Sequence, residues 1–171
     1  MKMIYIAASF AYENKAKTSK RKYLIEKTVK RILNTIYKLD PVAVDEYGFY
    51  IPHQLKIPNA WDMSLEDWAR KVYEEDFNRL VEADIVIFLS FGKENNSGSV
   101  WEVGYVCGRN AMMIPLQRED LIKKLVVVKM TDEPESLMIS NSCDTIISEK
   151  DIESYDWIAL PKYRTNLEKL S

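Results

Sequence analysis

The chain is poor in the residues that build metal centres and disulfide frameworks: its 171 residues include two cysteines and one histidine. Cys107 and Cys143 are too few and too far apart for a zinc cluster or a disulfide scaffold, and a lone His53 excludes a site made of several imidazoles. Reduced thiols are the default, and no metal or organic cofactor is expected. An excess of charge is missing too. The 24 Lys and Arg nearly balance the 26 Asp and Glu, for a formal net charge of -2, so no broad cationic surface is available for a nucleic-acid polymer. The locally basic stretch from Lys15 to Lys38 is interleaved with Leu24, Val29, Ile32 and Ile36, the pattern of a solvated helix face. No apolar run approaches the roughly 18 residues of a membrane span, no signal-peptide core precedes the first strand-like run, and there is no repeat, low-complexity tract or linker. These absences lead us to expect a soluble, cytoplasmic protein with no membrane partner, in which 1–171 form one domain and 155–171 a C-terminal extension that hugs the surface.

What is present is an alternation of strand and helix signals. Residues 3–8 read as a short buried strand. A long helix follows over 18–39, where Leu24, Ile25, Thr28, Ile32, Thr35 and Ile36 recur at helical spacing until Asp40-Pro41 ends it. A second strand is expected over 42–51, a proline-flanked loop over 52–59, and a helix opened by the capping signature Ser64-Leu65-Glu66-Asp67 and running to 81. Strand, polar loop and helix then succeed one another over 84–109. Two more strands are expected over 112–116 and 125–130 with a short helix at 118–123 between them, then a helical turn at 136–141 and an edge strand at 145–148. The alternation predicts an α/β fold: a three-layer, mostly parallel sheet of flavodoxin or Rossmann type with right-handed crossovers.

A few residues do not fit a packing role. The segment Asn95-Asn96-Ser97-Gly98-Ser99-Val100-Trp101-Glu102 sets small polar residues and a glycine ahead of a carboxylate, just past the end of a buried strand. In open α/β sheets the ligand crevice lies there, and the amides and hydroxyls of Asn96, Ser97, Gly98 and Ser99 suit a sugar or a phosphate. Alternatively, Glu102 is an acid in a helix's first turn, favoured by the macrodipole, which would also keep it ionised. Asp76 continues an apolar stripe of Leu65, Trp68, Val72 and Leu80. It either faces inward for a ligand or sits at the stripe's edge while Phe77 packs. Tyr5 is a core aromatic or a phenol crossing the sheet's carboxyl edge. His53 reads as a surface residue rather than a general base, and Gln54 is an amide able to read a base edge.

Taken in order, these segments resemble the nucleoside 2-deoxyribosyltransferase family from about Met3 to Ile147. Ile4-Tyr5-Ile6-Ala7-Ala8-Ser9-Phe10 is similar to the family's first strand and loop, and Tyr50-Ile51-Pro52-His53-Gln54 to its base-contacting loop. The run from Trp68 to Asp76 resembles its aspartate-bearing helix, and the run from Asn96 to Tyr105 its signature around the nucleophile. The resemblance implies that Glu102 is the nucleophile, Tyr5 its orienting partner and Asp76 the acid serving the departing base. Gln54 would assist base recognition, with Phe10 or Trp68 lining the base pocket. Ser136-Leu137-Met138 resembles the family's Asn-Leu-Met segment, which a neighbouring subunit lends to the active site, so Ser136 and Met138 imply a homo-oligomer. The partners implied are a nucleoside and a free nucleobase.

Two positions depart from the family pattern. Asn96 stands where the family commonly has a sugar-binding Asp, and Ser136 where it has Asn. Relatives that hydrolyse nucleoside 5'-monophosphates carry neutral hydroxyl-bearing residues at such positions, and an Asp would repel a phosphate where Asn does not. Three expectations follow: a deoxyribosyltransferase working through a covalent glycosyl-glutamate with retention, an N-glycosidase of nucleosides or deoxynucleoside 5'-monophosphates using the same nucleophile, and a non-catalytic nucleotide sensor or partner-binding module.

Overall fold

The computed structural model describes residues 2–10, 15–41 and 46–159. Five strands, β1 (Lys2–Ala8), β2 (Tyr47–Tyr50), β3 (Ile85–Ser90), β4 (Lys124–Lys129) and β5 (Thr145–Ser148), form one sheet in the order β2-β1-β3-β4-β5. All four pairings are parallel. The order reverses between β1 and β3, as in flavodoxin-like sheets, whose ligands bind at that switch point.

The central strands are apolar on both faces, as parallel strands covered by helices must be. On one face Ile4, Ile6, Ile87, Leu89, Val126 and Val128 pack against Ile25, Val29, Ile32 and Ile36 of helix α1 (Lys15–Leu39). On the other, Tyr5, Ala7, Val86, Phe88, Leu125 and Val127 meet helices α2 (Leu65–Glu82), α3 (Ser97–Met113) and α4 (Leu137–Ser142) through Leu80, Val103, Val106 and Ile139. This is the three-layer α/β architecture read from the alternation of elements. Asn110 locks the far end of α3 to the start of β4: its side chain donates to the carbonyl of Lys123 at 2.8 Å and accepts from that residue's amide at 2.9 Å.

Several local expectations need correction. The run at 112–116 is not a strand. Helix α3 continues through Met113, because Ala and Met favour helix, and the chain then turns over 114–117. Pro115 has no amide for a ladder, and Met112 and Leu116 stay 64% and 61% exposed. The short helix at 118–123 shrinks to a 3-10 turn over Glu119–Leu121. Strand β2 is shorter than the 42–51 expected, and 42–45 lie outside the described residues.

The basic face of α1 is not wholly solvated. Arg21 is buried, its guanidinium 3.5 Å from the centroid of the Phe91 ring and ion-paired with Glu94. The segment after 155 is more than a surface strap. Trp157 is fully buried on the α1 face, donates its Nε1 hydrogen to the carbonyl of Ile152 at 2.9 Å and packs edge-on against Tyr155. Lys124 Nζ gathers the carbonyls of Asp156, Trp157 and Ala159 at 3.0, 3.0 and 2.8 Å. The remainder of the expected extension, 160–171, lies outside the described residues. Among those residues, no helix is long and apolar enough to cross a membrane.

Candidate active site

A cavity of about 290 Å³ opens between α2 and α3 over the middle of β1, lined by Tyr5, Tyr73, Asp76, Phe77, Leu80, Gly98, Trp101 and Glu102. Helical periodicity accounts for the lining. Tyr73, Asp76, Phe77 and Leu80 fall on one face of α2, and Gly98, Trp101 and Glu102 on the facing side of α3. Asp76 therefore points inward together with Phe77, so the two readings of that stripe are both partly right. The outer members of the expected stripe turn away: Leu65 is exposed, and so is Trp68, at 42%.

Two phenols hold the two carboxylates. Tyr5 Oη donates to Glu102 Oε1 at 2.9 Å, and Tyr50 Oη donates to Asp76 Oδ1 at 2.5 Å. Tyr5 and Tyr50 are register partners on adjacent strands, and their rings stack with centroids 5.5 Å apart. Burial pushes the Glu102 carboxyl up to about 7; the Tyr5 hydrogen bond opposes this and the neighbouring Asp76 charge reinforces it. Asp76 is also raised, first by burial, against the Tyr50 hydrogen bond and with help from Glu75. Both tyrosines are pushed well above the ordinary phenol range, chiefly by burial and then by the carboxylates, so each remains a donor.

The macrodipole explanation for Glu102 does not survive. Asn96 caps α3 and Ser97 begins it, so Glu102 lies in the second turn, beyond the reach of the helix terminus. The expectation that the dipole keeps it ionised fails for the same reason, and burial dominates instead.

The remaining candidates divide. Gly98 lines the cavity. Asn96 serves as the helix cap, its Oδ1 accepting from the Ser99 amide at 2.9 Å while its own amide donates to Ser9 Oγ. Ser97 is exposed on the first turn of α3. Phe10, Gln54 and Trp68 do not line the cavity. Phe10 packs against His53 at a ring separation of 5.3 Å, and Gln54 reaches Glu26 Oε1 from its Nε2 at 3.5 Å. His53, expected at the surface, has its ring buried and 3.3 Å from Glu26, and burial lowers its basicity. Ser136 caps α4, and Met138 on that helix is 80% exposed, outside the cavity.

Sequence reasoning quoted Tyr50 only as part of a loop and missed its bond to Asp76. It also missed the ring cluster of Tyr73, Phe77, Trp101 and Tyr105, whose neighbouring centroids lie 5.2 to 6.2 Å apart beside the carboxylates. Helical spacing of Tyr73 with Phe77, and of Trp101 with Tyr105, was the available signal.

The fold and cavity define a flavodoxin-like α/β protein with a carboxylate pair enclosed between two helices on one face of its sheet. A family model described as nucleoside 2-deoxyribosyltransferase matches residues 4–138, and the chain belongs to that family, whose members are deoxyribosyltransferase-type enzymes acting on nucleosides and nucleobases. Among solved structures, it is similar to a 2-deoxyribosyltransferase from the psychrotolerant bacterium Bacillus psychrosaccharolyticus, with a TM-score of 0.62 and 22% identity over 93% of this chain and 96% of that one. It is also similar to a conserved protein from Enterococcus faecalis V583, with a TM-score of 0.56 and 14% identity over 96% and 99% of the two chains. At these identities the likeness is one of fold. No curated protein matches the chain.

Proposed function

We propose that the protein moves 2-deoxyribose between nucleobases through a covalent glycosyl-glutamate, with retention at C1'. The reading rests on the convergence of Glu102 and Asp76, each held by a phenol, on one ring-lined cavity of about 290 Å³. Glu102 attacks C1' of a 2'-deoxynucleoside as the C1'–N bond breaks, its electron pair leaves with the base, and Asp76 gives the base a proton. A second base then attacks C1', Glu102 departs as carboxylate, and Asp76 recovers a proton from the incoming base. Burial raises both carboxyls, Glu102 to about 7. The shared proton must therefore sit on Asp76 once substrate is bound, and positive charge developing at C1' beside Glu102 favours that placement. Tyr73, Phe77 and Trp101 offer faces for a planar ring.

Ser136 and Met138 fit a homo-oligomer in which α4 lends its exposed first turn to a neighbour's site, since Leu137 and Met138 are 79% and 80% exposed and lie outside their own chain's cavity. The 5'-monophosphate glycosidase reading finds less support. Asn96 and Ser136, which motivate it, both act as helix caps. Among the described residues no Lys or Arg lines the cavity to meet a phosphate.

Incubation with thymidine and adenine tests the proposal. Deoxyadenosine and thymine should form, and Glu102→Ala should lose turnover by roughly 10⁴-fold or more. Thymidine left unchanged by the unaltered protein would overturn the transferase reading, whereas free thymine released at the same rate with or without adenine would select hydrolysis.

A further inference from the structure

The bond from Tyr50 to Asp76 goes beyond the roles assigned so far. Tyr50 closes β2 and does not line the cavity, so a purely packing side chain would suffice at that position. Its hydroxyl is nevertheless 2.5 Å from Asp76 Oδ1, and its ring is stacked on the tyrosine that holds Glu102. Adjacent strands thus deliver one phenol to each carboxylate, Tyr5 from β1 to α3 and Tyr50 from β2 to α2.

We propose that Tyr50 is the positioning residue for the proton-donating step, fixing Asp76 Oδ1 as the accepting oxygen so that Oδ2 carries the proton to the leaving base. The assignment rests on the deoxyribosyl-transfer reading above. A protonated carboxyl donates from one oxygen and accepts on the other. The Tyr50 hydrogen occupies Oδ1, while Oδ2 has no protein partner among the described residues. As the C1'–N bond breaks, its electron pair goes to the base nitrogen, the Oδ2 proton follows, and the negative charge left on Asp76 is received by the Tyr50 hydrogen bond. That bond is stronger to a carboxylate than to a neutral acid, so its contribution grows along the reaction.

The other charged and titratable groups facing Asp76 come from every element around it. They are Glu75 and Tyr73 on its own helix, Tyr5 from β1, Glu102 from α3 and Tyr50 from β2. Arg79 is engaged by Glu75 at 3.0 Å and Glu82 at 3.1 Å and lies 6.0 Å from the Tyr50 ring centroid. Tyr50 is the only one of these that bonds Asp76 directly.

Tyr50→Phe keeps the ring and removes the hydroxyl. With thymidine as donor, kcat should fall by about tenfold with KM little changed, since a hydrogen bond to a charged group supports roughly that much. The alkaline limb of kcat/KM, where Asp76 loses its proton, should rise by about one pH unit, because a bond favouring the charged form is gone. With p-nitrophenyl 2-deoxyriboside, whose leaving group departs without a proton, the loss should be much smaller. Replacing Tyr50 by 3-fluorotyrosine, a stronger donor of nearly the same shape, should move the alkaline limb the opposite way, and it supplies the same readout if the phenylalanine variant does not fold. A packing role would leave the limb and the ratio between the two donors where they are. If the unaltered protein transfers deoxyribose and neither substitution moves limb or ratio, the Tyr50 assignment alone is overturned. If the unaltered protein transfers none, the transferase reading falls and takes this assignment with it.

Discussion

Glu102 is held in a place that opposes its ionisation. Burial lifts its pKa from the ordinary 4.5 to about 7, so between those values the folded protein keeps a proton that the unfolded chain has released. The sign follows directly: folding is favoured fully below about pH 4.5, and stability is lost as the pH rises through 7. Glu102→Gln keeps an oxygen to accept from Tyr5 and removes the titration. It should stabilise the protein by roughly 3 kcal/mol at pH 8.5 and by much less at pH 5. Urea unfolding at the two pH values measures the difference, and an equal gain at both would show that the side chain is not buried as described. Glu102 and Asp76 were legible in the sequence because a carboxylate in an apolar or small-residue setting calls for an explanation. Tyr50 was not, because its role depends on which residue of β1 it stands beside, and strand register is set by the whole sheet.

At the level of the element, the start of α3 shows one set of polar groups suited to two tasks. Of Asn96, Ser97, Gly98 and Ser99, expected to suit a ligand, Gly98 lines the cavity, while Asn96 and Ser99 serve the helix start, with Ser99 Oγ 2.9 Å from Ser9 Oγ. Asn96→Ala should cost about 1 kcal/mol in denaturant unfolding, the usual worth of an N-cap, while Asn96→Asp should cost almost nothing. Equal losses would deny the cap. Capping residues and ligand-binding residues share one chemistry, which is why sequence alone did not separate them. The strand expected at 112–116 is absent: five apolar residues are too few to distinguish a strand from the end of a helix. The long helix α1, the capped helix α2 and the central strands were readable because their periodicity extends over many residues.

Across the whole molecule the two sheet faces are closed by different means. Among the described residues, three helices cover the cavity face, whereas the opposite face has α1 and then, beside it, Ile152 and Trp157. Trp157→Ala should therefore behave as a core deletion and lower stability by about 3–5 kcal/mol. A denaturation midpoint unchanged from that of the unaltered protein would place the ring outside the core. The alternation of elements made the layers readable in advance, but not this substitution of a looped segment for a helix, because a single tryptophan carries no periodicity.

Among the described residues, strand β2 is paired on one side only, through four residues. Tyr50 thus belongs to an edge strand of the sheet, whereas Tyr5 lies on an inner strand bonded on both sides. Sequence change in or around β2 should accordingly alter the surroundings of Asp76 more readily than those of Glu102, so that the two ends of the cavity can vary separately.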